Sequence, residues 1–299
     1  MPELPEVENL RMGLAKNILN QKILNVEITK PKLVSGKGTL RKISLKRKTE
    51  FINGVVGEKF IAVERRAKNL IFKLTHEKII IAHLKMSGQF VYQRKSGQNA
   101  IMGGHPIELS ETELPNKHSH IIFKLSSGVL YYNDTRMFGY VLYYPNTKTF
   151  EAENHFAMYG VEPLSPEFSS KYFFESLKNK KGKIKAVLMD QKIVTGLGNI
   201  YVDESLFEAK IRPDRPALSI SKKEAEKLHK AIIRIIKRAI KVGGSSVATY
   251  RLLDNTRGNY AREHKVYGKD GKMCLNCKKL LTKIIVAGRT TIFCENCQK

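Results

Sequence analysis

Four cysteines in the pattern Cys274-x2-Cys277-x16-Cys294-x2-Cys297 constrain this chain more than any other feature. Two CxxC knuckles at this spacing bring four thiolates into a tetrahedron that suits Zn2+, and no fifth cysteine competes. The alternatives are paired disulfides or free thiols; in a reducing compartment a metal site is the better reading. Four thiolates leave no position open for water, so the expected zinc is structural. The loop between the knuckles carries Lys278, Lys279, Lys283 and Arg289, and on a tight hairpin such cations can reach phosphates.

The cations extend over the whole chain. It has 299 residues, enough for about two domains, and 53 Lys+Arg stand against 28 Asp+Glu for a net +25. That surplus points to a polyanion, of which nucleic acid is the commonest. No apolar run approaches the ~18 residues of a membrane span, and the acidic, helical opening is unlike a signal peptide. A soluble, cytoplasmic protein with no membrane partner is expected.

The opening Met1-Pro2-Glu3-Leu4-Pro5-Glu6-Val7-Glu8 has two readings. Pro5 at a first helical position with Glu6 and Glu8 following is an ordinary helix start, and alone this reading is preferred. The other begins with removal of Met1, which a following proline favours. Pro2 then becomes a secondary amine with a pKa near ~8, partly neutral and nucleophilic at cell pH. Attack on a sugar C1′ gives an iminium, an electron sink for breaking neighbouring bonds, and Glu3 stands beside it as an acid-base partner.

Residues 5–20 read as an amphipathic helix with Val7, Leu10, Leu14 and Ile18 on its buried stripe. Residues 22–145 read mainly as short strands, which argues a β-sandwich or barrel. Two segments, Ser35–Lys48 and Lys95–Lys117, read as long surface loops. After the proline-bracketed linker near Val161–Pro166, helical periodicity takes over at Lys171–Asn179, Ile184–Asp190 and Ile200–Ala209. The longest helix starts at Ser221, with Glu224 completing a capping-box pattern, and ends at Gly243-Gly244.

Gly196-Leu197-Gly198-Asn199 reads as a tight turn feeding a helix N-terminus, where backbone N–H groups favour a phosphate. Asn199 is placed to cap that helix, to contact the phosphate, or both. Arg65-Arg66-Ala67-Lys68 is, residue by residue, a solvated turn. His83, Met86, Arg136 and Phe138 are individually ordinary: Met and Phe usually belong to cores, and a His at a strand end is usually a satisfied polar group.

Together these residues resemble the formamidopyrimidine-DNA glycosylases, the Fpg group of the Fpg/Nei family. The resemblance runs nearly end to end. It takes in PELPEVE at Pro2–Glu8, RRAK at Arg65–Lys68, HLxMSG at His83–Gly88, KHxH at Lys117–His120 and DxRxFG at Asp134–Gly139. It continues through KxxIKxxLMDQ at Lys181–Gln191, GLGNIYxxE at Gly196–Glu204, VYG at Val266–Gly268 and GRTTxxCxxCQK from Gly288. The PEL opening and the RRAK lysine resemble Fpg rather than Nei-like relatives.

The resemblance implies an α+β fold: an N-terminal catalytic helix and β-sandwich over 1–150, a helix–two-turn–helix domain over 151–262 and a β-hairpin zinc finger over 263–299. It implies that Pro2 is the nucleophile and Glu3 the proton donor. Lys68 would be a second proton donor, and Arg289 would grip phosphates and assist δ-elimination. His118, Arg136 and Lys181 match DNA-contact positions, as do His83, Asn199 and Tyr267. Met86, Arg136 and Phe138 match the trio that fills the gap left by a flipped nucleotide, a gap that calls for apolar wedges and a cation for the orphaned base. Cys274, Cys277, Cys294 and Cys297 match the zinc ligands. Lys85, where the family usually has glycine, and Met137, where it usually has a basic residue, depart from the pattern and bear on the intercalating loops. Ser245–Arg262 matches the position of a loop over the flipped base.

The expected function is a monomeric, bifunctional DNA glycosylase/AP lyase of base excision repair. It would remove 8-oxoguanine and formamidopyrimidines from damaged double-stranded DNA through a Schiff base on Pro2, then cut the strand by β,δ-elimination. The rivals are a Nei-like enzyme for oxidised pyrimidines and a non-catalytic zinc-ribbon nucleic-acid binder. A free terminal proline followed by glutamate separates the last of these, since a pure binder has no need of it.

Overall fold

The helix expected at the start of the chain runs from Leu4 to Ile18 (α1), and Val7, Leu10, Leu14 and Ile18 are all buried. The computed structural model describes residues 1–38, 41–95, 101–104, 114–245 and 258–299. They form two units, Met1–His155 with Gly243–Gly258, and Phe156–Val242 with Asn259–Lys299.

In the first unit α1 is followed by β1 (Ile23–Ile28), α2 (Leu45–Val55), β2 (Phe60–Arg66), β3 (Asn69–Leu74), β4 (Ile79–His83), β5 (Gly88–Arg94), β6 (Ile101–Gly104), β7 (Ser119–Leu125), β8 (Gly128–Asp134), β9 (Tyr140–Tyr144) and α3 (Thr147–Ala152). The strands form two antiparallel sheets, ordered β1-β7-β8-β5-β6 and β2-β3-β4-β9. Phe60, Phe72, Phe90 and Phe123 close the space between the sheets. Ring centroids lie 5.8 Å apart for Phe60–Phe72 and 5.5 Å for Phe72–Phe90, both edge-on, the arrangement that aromatic quadrupoles favour. The β-sandwich expectation therefore holds, with the apolar side of α1 in the same core.

Two loop expectations need correction. The basic stretch Ser35–Lys48 ends inside a helix: Ser44 accepts from the Arg47 N–H as N-cap of α2, and Phe51 and Val55 anchor that helix in the core. The cationic run Lys46-Arg47-Lys48 hides the short apolar stripe behind it. Lys95–Lys117 contains a strand, β6, paired with β5; the remainder at 96–100 and 105–113 lies outside the described residues.

The second unit holds α4 (Ser170–Lys178), α5 (Ile184–Met189), α6 (Asn199–Ala209), α7 (Lys222–Lys241), α8 (Tyr260–Glu263) and the hairpin β10 (Thr282–Val286)–β11 (Arg289–Phe293). The expected capping box opens α7: Ser221 and Glu224 each accept the other's backbone N–H. Ala225, Leu228, Ile232, Ile235, Ile236 and Ala239 form its buried face. Phe207 of α6 packs with Val266, Leu281 and Ile292, seating the hairpin on the helices. Of Ser245–Arg262, residues 246–257 lie outside the described residues, and Tyr260 opens α8.

One carboxylate tethers the β3–β4 turn. Buried Glu58 accepts from Lys78 Nζ at 2.7 Å, lies 2.8 Å from His76 Nδ1, and accepts the Thr75 hydroxyl. Burial alone would raise its carboxyl pKa; the hydrogen bonds from Lys78, Thr75 and His76 outweigh it and bring the group down to about 2. A folded-state pKa below the unfolded value near ~4.5 stabilises the fold above that pH, and the contribution is lost as pH falls towards 2. Glu58→Gln is therefore expected to lower the melting temperature at pH 7 and to flatten its decline between pH 4.5 and 2. Melts across that range check this, and parallel curves for both proteins refute it.

Candidate catalytic residues and nucleic-acid interface

Pro2 and Glu3 are buried ahead of α1, Glu3 at 4% exposure, and Glu6 in the first turn of that helix is 2% exposed. Glu3 and Glu6 form a reciprocal capping box, in which Glu6 Oε2 accepts the Glu3 N–H at 2.9 Å. Its other oxygen accepts the Ser245 N–H at 2.6 Å. The preceding Gly244 takes φ +79°, and a Cβ there would stand 2.7 Å from Glu6 Oε1, so glycine is required on both counts. One turn on, Glu8 accepts from Arg11 Nη2 at 2.7 Å and Arg65 Nε at 2.8 Å. Burial works to raise the Glu8 carboxyl pKa, but these guanidinium bonds prevail and lower it.

Arg65 in turn donates to the Ala67 carbonyl at 3.0 Å, inside the turn that presents Lys68. Arg66 pairs with Asn69, leaving Ala67-Lys68 as a two-residue loop with Ala67 at φ +54°. Lys68 is 6% exposed. The helix that follows Pro2 and Glu3 is thus latched to the turn that carries Lys68, through Glu8 and Arg65. His83 lies within the field of Lys68. Burial, then Lys85, Lys68 and His155, push its pKa down to about 3, so the ring is neutral. Its Nδ1 faces the Lys85 N–H at 3.0 Å and accepts from it, which leaves the ring proton on Nε2.

The DxRxFG segment folds around the fully buried Asp134. Its Oδ1 accepts from the Ser87 hydroxyl and from the N–H groups of Arg136 (3.2 Å) and Met137 (3.0 Å), and Oδ2 accepts from the Gly139 N–H at 2.8 Å. Ser87 Oγ also accepts the Arg136 N–H, so the carboxylate joins this loop to the turn bearing Met86. The three expected gap-filling residues consequently meet. The Arg136 guanidinium lies 4.5 Å from the Phe138 ring centroid, and its Nη1 is 3.4 Å from the sulfur of Met86, itself half exposed. The two departures from the family pattern fall at left-handed backbone positions, Lys85 at φ +50° and Met137 at φ +52°. Glycine suits such a position, whereas an L side chain costs about 1–2 kcal/mol. Met137 packs on the sandwich core, and Gly139 admits no Cβ, which would fall 1.9 Å from the Tyr132 hydroxyl. His118, half-exposed, donates its N–H to Asn116, and its carbonyl accepts the Asp134 N–H at 3.1 Å.

In the second unit Lys181 is exposed at the turn into α5. Gln191 shapes the glycine turn, accepting the Gly196 N–H at 2.8 Å and donating to the Leu197 carbonyl at 3.0 Å. Asn199 is the first residue of α6, not its cap: Gly198 occupies the N-cap, and Asn199 Nδ2 donates to the Thr290 carbonyl at 3.1 Å. The hairpin reverses through Ala287 (φ +48°) and Gly288 (φ +71°), a type I′ pair, which sets Arg289 exposed at the start of β11. Tyr267 is held by buried Glu204, which accepts the N–H groups of Lys265, Val266 and Tyr267 at 2.8–3.0 Å. Burial raises the Glu204 pKa against those donors.

Sequence reasoning missed Lys185. Its side chain is fully buried, 2.7 Å from Asp203, and donates to the Thr290 carbonyl at 3.1 Å and Thr291 Oγ1 at 2.7 Å. Burial pushes Asp203 up to about 7 against the opposing pull of Lys185. A lone lysine on the otherwise apolar face Ile184-Val187-Leu188 was the available signal. The four cysteine sulfurs lie within 4.8 Å of one another, Cys274–Cys297 at 3.9 Å and Cys277–Cys294 at 3.5 Å. A tetrahedron with ~2.3 Å metal–sulfur bonds requires sulfurs about 3.8 Å apart, whereas a disulfide requires ~2.05 Å. The donor set fits a closed metal site. Among the described residues no helix is long and apolar enough to cross a membrane.

Comparison with known proteins agrees with this architecture. The model of the formamidopyrimidine-DNA glycosylase N-terminal domain matches residues 1–141, and that of the formamidopyrimidine-DNA glycosylase H2TH domain matches residues 159–251. The formamidopyrimidine-DNA glycosylase of Desulfitobacterium hafniense is 39% identical over the full length of both chains. A Lactococcus lactis Fpg variant in complex with Fapy-dG containing DNA superposes with a TM-score of 0.84 at 36% identity, covering 100% of each chain. The Lactococcus lactis Fpg in complex with abasic-site DNA gives the same score and identity over 99% of each. Fold and site define a two-unit, helix–two-turn–helix protein of the DNA-glycosylase class. The chain belongs to the formamidopyrimidine-DNA glycosylase family.

Removing the Asp134 carboxylate strands several loop N–H groups at once. At about 1–3 kcal/mol for each buried group left unsatisfied, Asp134→Ala is expected to destabilise the first unit by about 2–4 kcal/mol. Denaturant unfolding measures this; a change below about 1 kcal/mol contradicts the assigned hub.

Proposed function

We propose that this protein is a bifunctional DNA glycosylase/AP lyase of base excision repair acting on oxidised purines in duplex DNA. The reading is carried by full-length family membership together with a Pro2-Glu3 pair set at the head of a buried capping box. After loss of Met1, the Pro2 amine attacks C1′ of the damaged nucleoside while Glu3 protonates the opening sugar and the base departs. The iminium on Pro2 withdraws electrons, the C2′ proton is lost, and β- then δ-elimination release the 3′ and 5′ phosphates. Lys68, presented by its own two-residue turn, assists proton transfer during elimination; Arg289 grips phosphate.

The target base must leave the stack before this chemistry begins. Met86 and Phe138 wedge the vacated space and Arg136 hydrogen-bonds the orphaned base. Their mutual contact, fixed through Asp134 and Ser87, supports that assignment. Lys181, His118, Asn199 and Tyr267 extend the phosphate and sugar contacts, while neutral, buried His83 shapes the Met86 turn. Cys274, Cys277, Cys294 and Cys297 hold Zn2+ as a structural ion. That ion stabilises the hairpin presenting Arg289, and chelation is expected to abolish duplex binding with loss of one zinc per chain by elemental analysis.

Borohydride trapping on an 8-oxoguanine:cytosine duplex, with mass mapping of the cross-link, tests the mechanism. Protein beginning at Pro2 should form an adduct there, and a form retaining a residue ahead of Pro2 should form none. No adduct from protein verified to begin at Pro2 rejects the enzyme reading.

A further inference from the structure

Arg41 belongs to a cationic stretch, Lys37 to Lys48, that no step of the proposed chemistry uses. Its side chain nonetheless does not point freely into water. Nη2 donates to the Gly139 carbonyl at 2.6 Å and lies 3.4 Å from that of Met137. On the other side Nε donates to the Lys32 carbonyl at 2.5 Å, and Nη1 to that of Gly38. One planar fork therefore joins the turn before α2 to the loop that carries Arg136 and Phe138. Asp134 satisfies the N–H groups of that loop, and Arg41 takes up its carbonyls. The loop needs both, because Met137 sits in the left-handed region and no Cβ is tolerated at position 139. A guanidinium reaches both carbonyls from one side chain; an ammonium is a point donor and does not span them in the same geometry.

We infer that Arg41 is a positioning residue for the gap-filling loop, setting Arg136 and Phe138 for the strand opposite the lesion. The inference rests on the glycosylase reading above. It predicts a split between substrates. Excision from a duplex needs the gap filled, whereas elimination at an abasic site in a single strand needs only the amine chemistry. Loss of a well-placed group can cost about a hundredfold through misplacement near 1 Å.

Arg41→Gln and Arg41→Lys should be compared with wild type in three measurements: excision from 8-oxoguanine:cytosine and 8-oxoguanine:adenine duplexes, borohydride trapping on a single-stranded abasic oligonucleotide, and thermal melting. The expected result for Arg41→Gln is a loss of about tenfold to a hundredfold on both duplexes, with single-strand trapping unchanged. Arg41→Lys should fall the same way by less, and it decides the matter if the Gln variant does not fold. Equal loss on duplex and single strand, or undiminished duplex excision in a folded variant, overturns the inference. Wild-type protein starting at Pro2 that traps on neither the duplex nor the single strand overturns instead the glycosylase reading on which it rests.

Discussion

The buried carboxylate of Asp134 is the interaction on which the proposed gap-filling surface depends. A buried carboxylate is tolerated only when donors surround it, and here the donors are the Ser87 and Tyr132 hydroxyls and a run of loop amides. Satisfying the charge fixes the loop, and the loop fixes the approach of Arg136 to Phe138 and to Met86. The requirement runs from electrostatics to backbone to exposed side chains, with little freedom at any stage.

The same logic recurs through a chain that has 53 bases and only 28 acids. Glu6, Glu8, Glu58, Asp134, Asp203 and Glu204 are occupied internally, by backbone N–H groups, hydroxyls or paired cations. Anions committed inward leave the outer field strongly positive. That division suits a protein that must hold its shape beside a phosphate backbone while attracting it.

Much of this was legible from the residues. Periodicity disclosed α1 and α7, because each has an uninterrupted apolar stripe and a cap in its first turn. The cysteine spacing disclosed the metal-type cluster, and the motif order disclosed the family. Helix α2 stayed hidden because only Phe51 and Val55 anchor it behind a basic run. Asn199 read as a cap, a phosphate contact or both, since nothing local reveals that the Thr290 carbonyl lies beside it. Lys185 and Arg41 escaped for the same reason: their partners are distant in sequence, and each alone is one more cation in a basic chain. The departures from the usual residues at Lys85 and Met137 both fall on left-handed backbone, and a turn's handedness is not written in a lysine or a methionine.

The hydrogen bond from Ser245 to Glu6 spans 239 positions of chain. During synthesis at ~5–20 residues per second, the donor emerges roughly 10–50 s after the acceptor. The helix behind Pro2 can dock on the sandwich core long before then, but the hydrogen bond from Ser245 to the carboxylate at its head forms only after 245 residues have been made. The surroundings of Pro2, the proposed nucleophile, are thus among the later features to be completed at the ribosome. A truncated product lacking the second half would carry every proposed first-unit catalytic side chain and still present them unfinished.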